Sequence, residues 1–168
     1  MSGSASTLES MASRLVGVWK LVSYTVQEEG RENSLPFGPE SEGFLICPPD
    51  GFVSAQLMKP GRSLFQGQNW RGGTADEYQQ AGSGYIAHCG SYEVDEENET
   101  VTHTPSVALV PNLVHKAQSR LITLGGELLT LRALIPMTKG VPVTSRLEWQ
   151  RVGTQRATSE RRSQDKRV

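Results

Sequence analysis

Residues 84 to 135 read GYIAHCGSYEVDEENETVTHTPSVALVPNLVHKAQSRLITLGGELLTLRALI, and three breaks divide this stretch into four strands. The first break is the polar run Asp95-Glu96-Glu97-Asn98-Glu99-Thr100, the second is Pro111-Asn112, and the third is Gly125-Gly126, a dipeptide suited to a type I′ hairpin loop. Each break sets a register. Pairing Val94 with Val101, Leu109 with Val114 and Leu124 with Glu127 predicts four antiparallel strands, and period-2 alternation then gathers one set of side chains on a common face. Its apolar members include Ile86, Val101, Val107, Leu109, Val114 and Ile135.

The other face carries Ser91, Glu93, Thr102, Thr104, Ser119, Thr123 and Arg132, with Leu121, Leu128 and Leu134 as apolar exceptions, so it is expected to meet water. The first face is then the interior. His88, Tyr92, His103, Gln118 and Arg120 are polar groups pointing into it, while Lys116 lies near a turn, within reach of the rim.

A chain of 168 residues is long enough for one domain with its own core, needing neither disulfide nor metal. Net charge is −1 and the body has no basic stripe interleaved with aromatics, which argues against nucleic acid as a partner. The last 18 residues, Arg151 to Val168, hold six Lys/Arg against two Asp/Glu, leaving 11 basic and 16 acidic residues before them. This basic end has no apolar periodicity, and residues 153 to 168 are expected to form a disordered tail. Cys47 and Cys89 show no metal-like or C-x-x-C spacing and suit small core positions. Met1 to Ser13 is Ser-rich without the apolar core of a signal peptide, and no run has the length of a membrane-spanning helix. A cytoplasmic protein that does not insert into membranes is expected.

Elsewhere the chain reads as more strands with brief helices. Thr7 to Leu15 fits a short helix with Thr7 as N-cap, and residues 1 to 13 as a whole form a flexible segment or this helix. Val16 to Val26 is rich in β-branched and aromatic residues and predicts a long strand with Trp19 and Leu21 inward. Phe44 to Cys47 and Phe52 to Met58 flank Pro48-Pro49-Asp50-Gly51, a hairpin expected to place Phe44, Ile46, Val53, Ala55 and Leu57 on the apolar face. The segment Pro60 to Gly73 holds Phe65 and Trp70 among flexible residues and has the length of a lid, or of a packed surface excursion. Thr74-Ala75-Asp76-Glu77 is a capping box that opens a short helix ended near Gly82. Val143 to Val152 supplies the last of eight strands. The expectation is an all-β fold: a closed antiparallel up-and-down barrel over residues 14 to 152, with one or two short helices and room inside for one small ligand.

Gly17-Val18-Trp19 resembles the Gly-x-Trp signature of lipocalins. A longer series extends the likeness: Leu15 to Leu21, Pro36-Phe37-Gly38-Pro39, Pro49-Asp50-Gly51, Tyr85-Ile86-Ala87 with Cys89-Gly90, Tyr92-Glu93-Val94-Asp95, Val101-Thr102-His103, Pro111-Asn112 and Leu147 to Arg151. Over about residues 14 to 152 the chain is similar to the lipocalin-like domain family of bacterial and fungal proteins. That resemblance implies a β-barrel with an internal cavity and no single activity, members including components of secondary-metabolite pathways. Gln118 and Arg120 resemble residues the family carries there. His88 stands where the family usually has Tyr, Thr104 where it has His, and Leu113-Val114-His115 where it has Trp-Val-Gly. Those departures suggest a specialised cavity.

Buried polar side chains must find partners, so five on one interior face imply water, a ligand or a network among themselves. No phosphate-binding loop, nucleophile elbow or metal-protease helix occurs, and no cofactor is expected. His88, His103 and His115 lack metal-ligand spacing, so no metal is expected either. Tyr92, His103 and Arg120 fall side by side in the expected register, His103 as proton acceptor, Tyr92 as donor and Arg120 as charge stabiliser. His88, Gln118, His115, Asn112, Trp70 and Phe65 are the candidate substrate contacts. The set leans towards a cofactor-independent isomerase or cyclase acting on a polyketide- or terpenoid-type intermediate. The alternative is a carrier that only holds a small hydrophobic ligand.

Overall fold

A computed structural model describes residues 9–28, 30–67, 69, 71–135 and 143–153 of the protein, with the side chains of Leu134 and Ile135 excluded. Thr7, Trp70 and residues 154–168 therefore lie outside the described residues, as does the expected inward direction of Ile135. Eight strands close into a single antiparallel barrel in sequence order: β1 Gly17–Glu28, β2 Glu42–Cys47, β3 Phe52–Met58, β4 Tyr85–Asp95, β5 Thr100–Ala108, β6 Gln118–Gly125, β7 Leu128–Ile135 and β8 Val143–Arg151. Closure pairs β1 with β8, so no sheet edge is left open. The helices are α1 Met11–Leu15, capped by Ser10, and α2 Ala75–Ser83, opened by the Thr74–Glu77 capping box.

Where α1, the β2–β3, β4–β5 and β6–β7 turns and the end of β8 meet, the barrel is closed. Trp19 is fully buried there and its indole N–H donates to the Leu15 carbonyl at 2.9 Å. The Arg151 guanidinium lies 4.1 Å from the centre of the Trp19 ring, a cation–π contact. Arg151 also donates to the Val16 carbonyl at 2.8 Å and to the Arg14 carbonyl, and its Nε lies 3.5 Å from the Glu127 carboxylate. Gly17 makes room for this cation: a Cβ there would stand 2.5 Å from Arg151 Nη1, and its φ of +144° also favours glycine. The Gly-x-Trp motif is thus the lock of the closed end. Helix α1 is fastened across it by the Glu96 carboxylate, which accepts from the Met11 and Ala12 N–H groups at 3.0 Å.

Four registers differ from expectation. The hairpin β2–β3 pairs Leu45 with Ala55, so Leu45 and Cys47 are buried with Val53, Ala55 and Leu57, while Phe44 (46% exposed) and Ile46 (40%) point outward. Leu109 and Val114 do not pair. Instead β5 ends at Ala108, a 3₁₀ turn spans Pro111–Leu113, and β6 starts only at Gln118. The β6–β7 loop is Gly126-Glu127 rather than Gly125-Gly126, with the positive φ of 60° on Gly126; each strand slips one residue, which preserves the inward parity of Leu124 and Leu129.

The fourth difference is a bulge in β5. Cys89 pairs with Val107 but Gly90 with Pro105, leaving Ser106 as an extra residue. Parity reverses beyond it, so Val107 (62% exposed) and Leu109 (45%) face outward, contrary to their expected burial. Gly90 is what permits the close approach, because a Cβ there would lie 2.1 Å from the Thr104 carbonyl oxygen. A second bulge, in β1, leaves Val22 unpaired between Leu21 and Ser23 and turns Tyr24 inward.

Candidate functional site

Above the closed end the barrel holds a cavity of about 460 Å³, enough for one small organic molecule. Leu45, Ala55, Leu57, Leu131 and Leu147 make much of its wall apolar. Polar groups concentrate on the other wall, where His88 from β4, His103 from β5, and Gln118 and Arg120 from β6 line the same space.

His88 and His103 meet across the stretch of β4 and β5 that contains the bulge. The ladder opposes His88 to Ala108 and His103 to Tyr92, yet the two imidazoles meet with His88 Nε2 and His103 Nδ1 3.3 Å apart. One of the facing nitrogens must donate and the other accept, so each ring is held in a tautomer set by its neighbour. Burial first, and the Arg120 charge second, lower the His88 pKa to about 4. His103 is held well below the ordinary imidazole range by burial first, then by Arg120 and His88. Both rings are therefore neutral at neutral pH. Their outer nitrogens, His88 Nδ1 and His103 Nε2, are buried without a hydrogen-bond partner among the described residues, and so is Trp149 Nε1.

Arg120 is opposite Val101, not His103, whose partner on β6 is Gln118; the row expected as Tyr92, His103 and Arg120 is Tyr92, His103 and Gln118. The two-residue displacement follows from the longer β5–β6 connection. Arg120 still enters the cavity, and its Nη1 donates to the Gln118 carbonyl at 2.8 Å. Burial lowers its pKa to about 10, which leaves it charged at neutral pH. Tyr92 differs more: its hydroxyl donates to the Pro48 carbonyl at 3.3 Å, towards the closed end, and it is not part of the cavity wall.

Of the expected substrate contacts, His88 and Gln118 line the cavity. Asn112 and His115 do not: both are exposed on the β5–β6 connection, where His115 has a φ of 57° and its N–H donates to the Pro105 carbonyl at 2.8 Å. Leu113 from the same turn reaches the cavity instead. Phe65 packs edge-on against Tyr78 of α2, ring centres 5.2 Å apart, and is likewise absent from the wall. Gln66 N–H donates to Glu77 at 2.7 Å, so this part of the 60–73 segment is fastened to α2. Among the described residues no three His, Cys, Asp or Glu side chains gather as metal ligands would, and no helix is long and apolar enough to cross a membrane.

Several wall residues escaped the sequence reading, among them Leu45 and Ser119, expected to face outward, and Tyr24, Ser145 and Trp149. Tyr24 enters through the β1 bulge; burial raises its pKa, and Phe37 packs edge-on against it at 5.6 Å. Phe37 belongs to the Pro36-Phe37-Gly38-Pro39 loop and is itself buried. Ser145 and Trp149 lie on β8, in phase with Val143 and Leu147, and that alternation was a usable signal.

Comparison with known proteins bears on this arrangement. The chain matches the lipocalin-like domain over residues 16–152. It is 31% identical over 107 residues to the 4'-hydroxy-3'-methoxypropiophenone carrier protein ppsC of Aspergillus oryzae, a stretch covering 60% of this chain and 96% of that protein. No solved structure gives a significant match. Barrel, cavity and sequence agree, and the chain belongs to the lipocalin-like domain family.

Proposed function

We propose that the barrel holds a small, mainly apolar molecule with at least one oxygen function, of the polyketide or terpenoid type made in secondary metabolism, and acts as its carrier. The observation that carries this reading is the shape and division of the cavity: about 460 Å³, apolar along one wall, with His88, His103, Gln118 and Arg120 gathered on another. Such a division orients a ligand that has one polar end. The carrier named for a hydroxylated, methoxylated phenyl ketone is a relative whose cargo has this character. Covering of both outer histidine nitrogens further favours holding over chemistry, since neither imidazole has an open path to a substrate in this conformation.

A second reading, a cofactor-independent isomerase or cyclase, is favoured by the neutral His88–His103 pair beside a charged arginine. In that reading an imidazole takes a proton from carbon next to a carbonyl, Arg120 holds the enolate oxygen, and the imidazolium returns the proton to a different carbon. Tyr92 has no part in it, because its hydroxyl is engaged at Pro48. Movement of the rings by a rotamer change would be required first. Incubation with aryl ketone and polyketide-type intermediates, followed by mass spectrometry and NMR of the recovered small molecule, separates the two. A stoichiometric complex that releases its ligand unchanged supports the carrier; an isomerised product, lost in His103→Ala, supports the enzyme. Absence of binding to any such compound overturns both.

A further inference from the structure

The barrel encloses two arginines whose surroundings differ sharply. Arg151 at the closed end is satisfied by the protein itself: two backbone carbonyls, the Glu127 carboxylate and the face of Trp19. Among the described residues the Arg120 guanidinium makes one hydrogen bond, to the carbonyl of Gln118 on its own strand, although it carries five N–H donors. The ion pairs among the described residues join Arg31 to Glu28, Arg146 to Glu148 and Arg151 to Glu127; none involves Arg120.

Among the described residues no Asp or Glu lines the cavity, and the sequence of residues 136–142, PMTKGVP, contains no acidic residue. The other titratable groups on the described wall are His88, His103 and Tyr24, and all are uncharged at neutral pH. Among the described residues, then, the cavity carries one positive charge and no counter-charge. A cation drawn out of water and left unpaired is costly, and a protein retains one where something else supplies the partner.

We infer that the ligand enters this cavity as an anion, an apolar body bearing a carboxylate or an acidic enolate or phenolate oxygen, and that Arg120 is the residue that selects it. The planar fork of Arg120 suits a carboxylate by two parallel hydrogen bonds and a single oxyanion by one or two. Neutrality of the histidine pair has a role in the same scheme. The rings add no charge of their own, and with their facing nitrogens bonded to each other they leave the anion to Arg120. This inference rests on the reading of the barrel interior as a ligand cavity.

The test is calorimetric titration of the whole chain at neutral pH with 2-naphthoate and with 2-naphthamide, which have nearly the same shape and differ in charge. N-phenyl-1-naphthylamine, neutral and fluorescent in apolar surroundings, reports independently on the cavity. Naphthoate should bind about 30-fold or more tightly than naphthamide, the size expected for a desolvated charge pair. Arg120→Met should abolish that preference while N-phenyl-1-naphthylamine still binds, which also shows that the variant is folded; Arg120→Lys should keep part of it. Equal binding of the two naphthalenes, or a preference that survives in Arg120→Met, overturns the inference and leaves the cavity reading intact. Failure of all three probes to bind the natural chain overturns the cavity reading and the inference together. Addition of 2-naphthol distinguishes the oxyanion classes: naphtholate absorption in the bound state marks a phenolate site, and its absence restricts the ligand to a carboxylate or comparably strong acid.

Discussion

Replacing Trp19 tests the lock at the closed end of the barrel. The ring is fully buried, its N–H is bonded to Leu15 at 2.9 Å and its face is covered by Arg151 at 4.1 Å. Trp19→Ala removes the ring and leaves a void beneath α1, at a cost of about 3 to 5 kcal/mol. For a domain of this size that lowers the melting temperature by about 6 to 20 °C. Trp19→Phe keeps most of the volume but strands the Leu15 carbonyl, for about 1 to 3 kcal/mol. The cation–π share is isolated by a double-mutant cycle of Trp19→Leu with Arg151→Met, read from urea unfolding midpoints. Arg151 keeps only 25% of its side-chain exposure, so a coupling of about 1 kcal/mol or above is expected, nearer the desolvated than the exposed range. An unchanged melting temperature in Trp19→Ala, or a coupling within about 0.3 kcal/mol of zero, would refute the lock, since strictly additive effects mean independent sites.

Gly90→Ala should cost about 3 kcal/mol or more, because its methyl group meets backbone atoms that no rotamer can move; near-natural stability would mean that the β5 bulge is absent in solution. The histidine pair makes stability depend on pH in a defined direction. Both folded pKa values are lowered, so the unfolded chain binds more protons, and stability falls as pH drops from about 6.5 towards 4, at up to about 1.4 kcal/mol per pH unit for each ring. Urea midpoints across that window should lose much of their pH dependence in the His88→Gln/His103→Gln double variant, and an unaltered slope would contradict the buried neutral pair. Phe65→Ala should loosen the 60–73 segment from α2, seen as faster amide exchange at Gln66, while naphthoate affinity changes less than about twofold as for other sites remote from a ligand. A large loss of affinity would return that segment to the site.

Arg120 and Arg151 illustrate how little residue type says about role. Each is an arginine on a barrel strand, Arg120 beside an imidazole pair and Arg151 against the face of Trp19. The difference is made by the carbonyls and the carboxylate that converge on one and not on the other. Partner supply of that kind comes from chain segments as distant as Arg14 and Glu127, which no local pattern connects.

Strand count, barrel closure, the inward direction of Trp19 and Leu21 and the capping box of α2 were all legible in the residues. Those features depend on short-range rules: period-2 alternation, turn residues at loops, and an N-cap three residues before an acid. The interior position of His88, His103, Gln118 and Arg120 was legible for the same reason, because parity survives even a two-residue slip of register. What the tertiary structure decided is where alternation breaks. The bulges at Val22 and Ser106 reverse parity midway along their strands, turning Tyr24 in and Val107 out, and two histidines that the ladder does not pair meet at 3.3 Å. A bulge is favoured by its neighbours across the sheet, here the missing side chain of Gly90 against Pro105, and by the curvature needed for closure. Those pressures exist only once the strands have met, which is why the faces could be read along the chain and the site could not.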